Sequence, residues 1–335
     1  MLIVGIDENG LGFRNQRMLG PLVVTATAFR TERSYDFNKD FFWNELKEVV
    51  SRDRSDKAGL IVCDSKELYK SNDQKTYELG ESTVLAFYSL LNGRLPQDFD
   101  DDFFSEIVLD GQCLLSNSPV DWKSSLCGNG APYNLPAWEV EIQFIKDISE
   151  KLRQVLRRKR IKFVFWKSRI FCPFALNKAE GKNLDKYSLE IQTIGDLINL
   201  FLENYGEEEI SFFSGKIDGW GKKKILSCLG ERFEILPSPS KPRMDIFTVS
   251  CKGKELKLCF IKSGDKFIFP ISLSSIFGKY IREIFIKRIN EFFQKFDSSL
   301  DWCGGYRQGW KFDAFVKRAA PIVNMERIPE ECFLR

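Results

Sequence analysis

Short apolar runs and longer amphipathic stretches alternate along this chain of 335 residues. Residues 2–6 (LIVGI) and 20–29 (GPLVVTATAF) are rich in β-branched residues, and a glycine-containing connection separates them. This pattern predicts a β-hairpin with an enlarged loop. An apolar stretch then ends at Asp64-Ser65, a pair typical of helix starts, and a helix is predicted around 75–91.

The same alternation continues through the rest of the chain. Apolar residues at helical spacing predict helices over 138–158, 185–204 and 271–295. The further runs that predict strands are KFVFWKSRIF (162–171), SFFSGKI (211–217), FEILPSPS (233–240) and the hairpin TVSCKGKELKLCFI (248–261). Turn residues over 93–136 indicate an irregular insertion, in which DFDDDF (98–103) is expected to be a solvated loop. The whole pattern predicts an α/β protein with one mixed sheet flanked by helices.

Composition narrows the possible chemistry. The 50 basic and 47 acidic residues nearly cancel, so net charge does not indicate a partner. Histidine is absent, which excludes Ser-His-Asp triads and zinc sites built on imidazole. The nine cysteines are scattered without a CxxC pair, as in reduced intracellular proteins. Without an apolar run of membrane length or a signal-like N-terminus, we expect a cytoplasmic monomer that contacts no membrane.

Four acidic residues stand out by position. Asp7 and Glu8 end the first predicted strand, Asp218 ends a later one, and Glu283 lies in the long helix, where it shares a face with Lys279. Converging carboxylates repel one another, and bound Mg²⁺ or Mn²⁺ is the usual resolution. Two such ions about 3.5–4 Å apart activate water and stabilise the leaving oxygen of a phosphodiester without histidine.

Each of these acids also has a plain structural interpretation. Asp7 and Glu8 could be a solvated strand end, and Asp218 precedes a glycine, a pair common in turns. Glu283 could form a helical ion pair with Lys279 or Lys287, four residues away on either side.

Five motifs resemble the type 2 ribonucleases H, ribonuclease HII and HIII. GIDENGLG followed by GPLVVTA resembles the start of that family, where an Asp-Glu pair precedes Gly-x-Gly and Gly-Pro opens a β-branched strand. The other motifs similar to family motifs are CDSKEL (63–68), KIDG (216–219), the serine-rich ISLSSIFGKYIRE (271–283) and GGYRQ (304–308). They occur in family order from residue 3 to about 310.

The resemblance implies a ribonuclease H-like fold with a catalytic domain over 1–318. An insertion over 93–160 and a C-terminal extension over 319–335 complete the expected organisation. The implied activity is metal-dependent hydrolysis of the RNA strand of RNA/DNA hybrids, or of ribonucleotides embedded in DNA, leaving a 3'-hydroxyl and a 5'-phosphate.

Residue roles follow by position. The implied catalytic metal ligands, for two Mg²⁺ or Mn²⁺ ions, are Asp7, Glu8, Asp218 and Glu283. The expected nucleic-acid-binding residues are Ser65, Lys66, Lys279 and Tyr306, together with Arg14 from the first loop and Lys222 from the basic helix start after Asp218.

Two departures keep other functions open. Leu11 stands where the family carries a basic residue between two glycines, and Arg307 replaces the proline after the tyrosine. A weakly active or inactive nucleic-acid-binding paralogue is one alternative, and a nuclease acting on branched or single-stranded DNA is another.

Overall fold

The computed structural model describes residues 1–10, 18–33, 35, 40–56, 59–70, 73–109, 133–216, 222–239, 241–251, 253–304 and 310–334. The strands are β1 (Leu2–Asn9), β2 (Leu22–Thr31), β3 (Val50–Ser51), β4 (Leu60–Ile61), β5 (Ile161–Phe171), β6 (Ile210–Gly215), β7 (Glu234–Pro237), β8 (Met244–Cys251) and β9 (Lys254–Ile261). The α-helices are α1 (Phe41–Leu46), α2 (Ser65–Leu68), α3 (Gln74–Asn92), α4 (Ser105–Ile107), α5 (Ile142–Arg158), α6 (Pro173–Glu180), α7 (Lys186–Tyr205), α8 (Lys222–Gly230), α9 (Phe269–Phe296), α10 (Trp310–Met325) and α11 (Glu330–Phe333).

A seven-stranded mixed sheet forms the centre, in the order β5-β2-β1-β6-β9-β8-β7. β1 pairs antiparallel with β2, and the parallel pairs β1–β6 and β6–β9 follow. Three parallel strands therefore end at one edge of the sheet. The residues found at that edge are Asp7 and Glu8 on β1, Gly215 on β6 and the turn after Ile261 on β9.

Helices cover both faces of this sheet. Alternate residues of β1 point to opposite sides, so Ile3 packs in the core with α3 and α9, while Val4 and Ile6 pack in the core with α7. The C-terminal helices α10 and α11 form a third apolar cluster with the end of α9. The predicted mixed α/β sheet flanked by helices is confirmed.

Buried hydroxyls fix α9 across the centre of the sheet. The Ser274 Oγ donates to the carbonyl oxygen of Gly5 at 2.9 Å and hydrogen-bonds the Thr27 Oγ1 at 3.0 Å. The Thr27 hydroxyl in turn donates to the carbonyl oxygen of Pro270 at 3.0 Å. These serines satisfy polar groups inside a packed interface, which is why a serine-rich sequence is compatible with a buried helix.

Several local features differ from the sequence pattern. The segment DFDDDF is not a solvated loop, because Phe99–Phe104 form a π-helical turn and Asp98 caps it by accepting from the amides of Asp101 and Asp102. Apolar spacing did not indicate the short helices α1, α6 and α11. Residue 319, where the C-terminal extension was expected to begin, lies inside α10.

The described cysteines are free thiols: Cys63, Cys172, Cys228, Cys251, Cys259, Cys303 and Cys332. Within the described ranges, no helix has both the length and the apolar character needed to cross a membrane.

Candidate functional site

The carboxylates of Asp7 and Glu8 converge on Gly215. Adjacent strand residues face opposite sides, so Asp7 starts on the α9 side and Glu8 on the α7 side. A Cβ atom built on Gly215 would nevertheless lie 3.4 Å from the Asp7 Oδ1 and 3.7 Å from the Glu8 Oε2. The missing side chain of Gly215 therefore leaves a space that both acids reach.

Asn9 and Gly10 determine where β1 ends and how it meets α9. Gly10 has a φ of +108°, which L side chains rarely adopt, so the chain turns away directly after the acid pair. The buried Asn9 donates from Nδ2 to the carbonyl oxygen of Ser275 at 3.1 Å, and this bond ties the strand end to α9. The sequence Asn-Gly thus fixes where the strand stops and how it meets the helix.

Asp7 lies in an environment that disfavours its charge. Its pKa is raised well above the usual value, first by burial and then by the negative charges of Glu8 and Asp265. A hydrogen bond from Ser275 and the positive charge of Lys66 act in the opposite direction. The negative charges of Glu8 and Asp265 thus both act on Asp7, and a cation bound beside Asp7 would relieve this repulsion.

Asp265 is an acid of this site that the sequence pattern did not select. It lies in a 3₁₀ turn, Gly264–Lys266, between β9 and α9. Its pKa is raised by burial and by the charge of Asp64, and the charges of Lys66 and Lys266 oppose that rise. Its sequence signal was its position, because SGDK follows a predicted strand and directly precedes the serine-rich helix.

The structure groups Glu283 with other partners. The buried Glu283 carboxylate contacts the Lys279 Nζ, accepts a hydrogen bond from the Tyr77 Oη at 3.2 Å and lies 3.7 Å from the Arg282 guanidinium. It lies eight residues, or about 12 Å of helix rise, beyond Ser275, the α9 residue that contacts Asp7. This arrangement matches the plain structural interpretation of Glu283, an i,i+4 ion pair with Lys279.

The motif CDSKEL lies beside Asp7. The Ser65 and Ser275 hydroxyl oxygens are 2.9 Å apart. Either hydroxyl can be the donor in this pair. Asp64 caps α2 by accepting from the Lys66 amide at 2.9 Å and pairs with the Lys266 Nζ at 3.3 Å.

These contacts leave the exposed Lys66 side chain next to the carboxylates. A cation in that position can meet a phosphate that approaches the acids. The structure therefore places Ser65, through Ser275, and Lys66 on the side of Asp7.

The remaining residues that the sequence assigned to the site either contact other parts of the protein or lie outside the described ranges. Lys222 begins α8, and its Nζ lies 5.8 Å from the ring centroid of Phe247. Lys279 is engaged with Glu283. The residues that fall outside the described ranges are Arg14, Asp218 and Tyr306, together with Leu11 and Arg307.

A second unpredicted acid is Glu190 on α7. It is completely buried, and its pKa is raised well above the usual value by burial and by the charges of Glu8 and Asp7. Its position inside an apolar helical face, between Leu189 and Ile191, gave no sign that it faces the acid pair.

The donors at this edge suit a hard divalent cation by type, because they are carboxylates. Among the residues that the structure describes, no three Asp, Glu, Cys or His side chains are grouped closely enough to hold one ion together. Among the described acids, Asp7 and Glu8 reach the space at Gly215. Asp218, three residues further along the chain, lies outside the described ranges.

No protein-family model matches the sequence, and no curated protein matches it. Similar solved structures include RNase HII from Archaeoglobus fulgidus in complex with PCNA, with 12% identity, a TM-score of 0.38 and coverage of 99% of this chain and 93% of that chain. Ribonuclease H2 from Pyrococcus horikoshii OT3 has 11% identity, a TM-score of 0.39 and coverage of 99% and 92%. Bst-RNase HIII in complex with Mn²⁺ has 9% identity, a TM-score of 0.42 and coverage of 99% and 66%.

Proposed function

We propose that this protein is a metal-dependent endonuclease of the type 2 ribonuclease H kind. The observation that carries the proposal is the convergence of Asp7 and Glu8 on the space at Gly215, with the charge of Asp265 acting on Asp7. Partial burial of repelling carboxylates costs free energy, and a site that binds divalent cations is a common reason to retain them. The family motifs around Asp7 and Lys66 support the same proposal.

We assign the cation donors as Asp7, Glu8 and Asp265, with Asp218 as the expected third strand-end acid. In this proposal Asp265 takes the place that the sequence gave to Glu283, because Asp265 is the acid whose charge reaches Asp7. When bound, divalent cations supply Lewis-acid activation of water and stabilisation of the leaving oxygen.

The protein side chains orient the site. The hydrogen-bond chain from Ser65 through Ser275 fixes the Asp7 carboxylate against α9. Lys66, on the exposed side of α2, attracts a backbone phosphate toward the acids. Asp7 is half-buried, and the protein around it excludes bulk water from one side of the site, which strengthens the charge interactions there.

The proposed substrate is the RNA strand of an RNA/DNA hybrid or a single ribonucleotide embedded in a DNA duplex. The test incubates purified protein and Mn²⁺ with both substrates and with DNA-only duplexes. We expect cleavage of a ribonucleotide-containing substrate, and we expect Asp7→Asn to lower its rate by at least ~100-fold.

The matched control is Glu231→Gln, which removes an exposed carboxylate outside the site and should cut at the parent rate. Cleavage of DNA-only substrates alone would favour the DNA nuclease alternative. Binding of the hybrid without cleavage in Mn²⁺ would favour the inactive paralogue. Parent-like cutting by Asp7→Asn would refute the assignment of the site.

A further inference from the structure

Glu190 is a buried carboxylate of an unusual kind. Its side chain has no solvent exposure, and neither carboxylate oxygen has a hydrogen-bond partner among the described residues. Acidic side chains are almost never fully buried without partners, because desolvation of the charge is costly. Such a group requires an explanation beyond packing.

A second fully buried glutamate, Glu81, shows how a buried carboxylate is usually stabilised, namely by hydrogen-bond donors. Glu81 is also completely buried, but it accepts hydrogen bonds from the amides of Ala137 at 2.6 Å and Trp138 at 2.7 Å, and from the Tyr280 Oη at 2.8 Å. Glu81 therefore has a structural role that its partners explain. Glu190 has no comparable set of donors in the described structure.

The surroundings of Glu190 point toward the acid pair. Val4 and Ile6 pack in one core with Leu189 and Ile191 of α7, and strand alternation puts Glu8 on that same side. The charges that act on Glu190 are those of Glu8 and Asp7, both negative. Glu190 thus belongs to the helix that packs on the Glu8 side of β1, and the charges of Glu8 and Asp7 act on it.

We propose that Glu190 is an additional carboxylate of the metal centre, an outer acceptor on the α7 side that binds the hydration water of the cation held at Glu8 and Asp7. This proposal rests on the proposed function. Magnesium-type ions keep several of their waters when a protein binds them, and buried acceptors that receive those hydrogen bonds tune affinity.

The test measures Mn²⁺ affinity by electron paramagnetic resonance and calorimetry, together with the melting temperature of the metal-free protein. Glu190→Gln keeps the shape of the side chain and removes its charge. We expect Mn²⁺ binding to weaken about tenfold, as for other outer-shell partners, while the metal-free melting temperature stays the same or rises. Glu190→Asp, which keeps the charge, should recover part of the affinity.

Ile194→Val, on the same buried face of α7, is the matched control for a core change, and its Mn²⁺ affinity should equal that of the parent. Unchanged affinity in Glu190→Gln would overturn the inference while leaving the proposed function intact. Weaker binding together with a lower metal-free melting temperature would also overturn it, because the role would then be structural. Failure of the parent itself to bind Mn²⁺ would instead refute the proposed function.

Discussion

Gly215→Ala adds one methyl group to the space between the two acids of β1. The new carbon would lie 3.4 Å from the Asp7 Oδ1 and 3.7 Å from the Glu8 Oε2, which are ordinary contact distances. No backbone shift is needed, so the free energy of unfolding of the metal-free protein should change by less than about 1 kcal/mol. The methyl would, however, occupy the side of the carboxylates that we assign to the cation.

The expected magnitude follows from linkage. We expect affinity for Mn²⁺ to fall about tenfold, which corresponds to about 1.4 kcal/mol. A chain of 335 residues has an unfolding entropy of about 0.7 kcal/mol/K near its melting temperature. At a Mn²⁺ concentration 100 times the parent dissociation constant, the metal should therefore raise the melting temperature by about 4 °C in the parent and about 2 °C in the variant.

Differential scanning fluorimetry with and without Mn²⁺ measures this difference, and calorimetry gives the affinity directly. Gly230→Ala is the matched control, because no heavy atom lies within 4 Å of a Cβ built there. It should show the full metal-dependent shift. If Gly215→Ala kept the parent affinity and the parent shift, the cation would not bind at this space, and the reasoning from the convergence of Asp7 and Glu8 would be refuted.

Three further predictions concern other acids. Asp265→Asn should lower the rate of Mn²⁺-dependent hybrid cleavage by ~100-fold. Glu283→Gln should lower the free energy of unfolding in urea by about 2 kcal/mol, while the folded variant cleaves the hybrid at nearly the parent rate. The reverse pattern would assign Glu283, and not Asp265, to the site. The raised pKa values of Asp7, Asp265 and Glu190 mean that the folded protein binds more protons than the unfolded chain above pH ~4. The contribution of these groups to the stability of the metal-free protein should therefore fall as pH rises above the ordinary carboxyl pKa of about 4. Asp7→Asn should reduce this slope in melting experiments, and an equal slope in the variant would contradict the prediction. Glu81→Leu should lower the free energy of unfolding in urea by at least about 3 kcal/mol, because three hydrogen-bond donors lose their acceptor. A loss below about 1 kcal/mol would show that these donors find other acceptors.

The sequence pattern was most informative where local periodicity and tertiary burial agree. Apolar, β-branched runs over 2–6 and 20–29 predicted the hairpin that the structure shows as β1 and β2. The Asp-Ser start of CDSKEL predicted the capped helix α2, since the cap is a contact between close neighbours in sequence. The acid pair could be located because it ends a strand.

The further acids that we assign to the site, Asp265 and Glu190, could not be identified from the sequence in the same way. The spacing of four residues placed Glu283 on one helix face with Lys279. Periodicity does not show, however, which part of the protein contacts that face at Glu283, two helical turns beyond Ser275. Asp265 lies in a turn, where no periodicity exists. Glu190 lies in an apolar face, and only the packing of α7 beneath β1 brings it near Glu8.

Anomalous diffraction from crystals soaked in Mn²⁺ would test the metal centre most directly. We expect a peak between the carboxylates of Asp7 and Glu8, on the side of Gly215, with Asp265 facing it. A peak beside Glu283 instead, or no peak near Asp7 in crystals of protein that cleaves the hybrid in Mn²⁺, would contradict the proposed site.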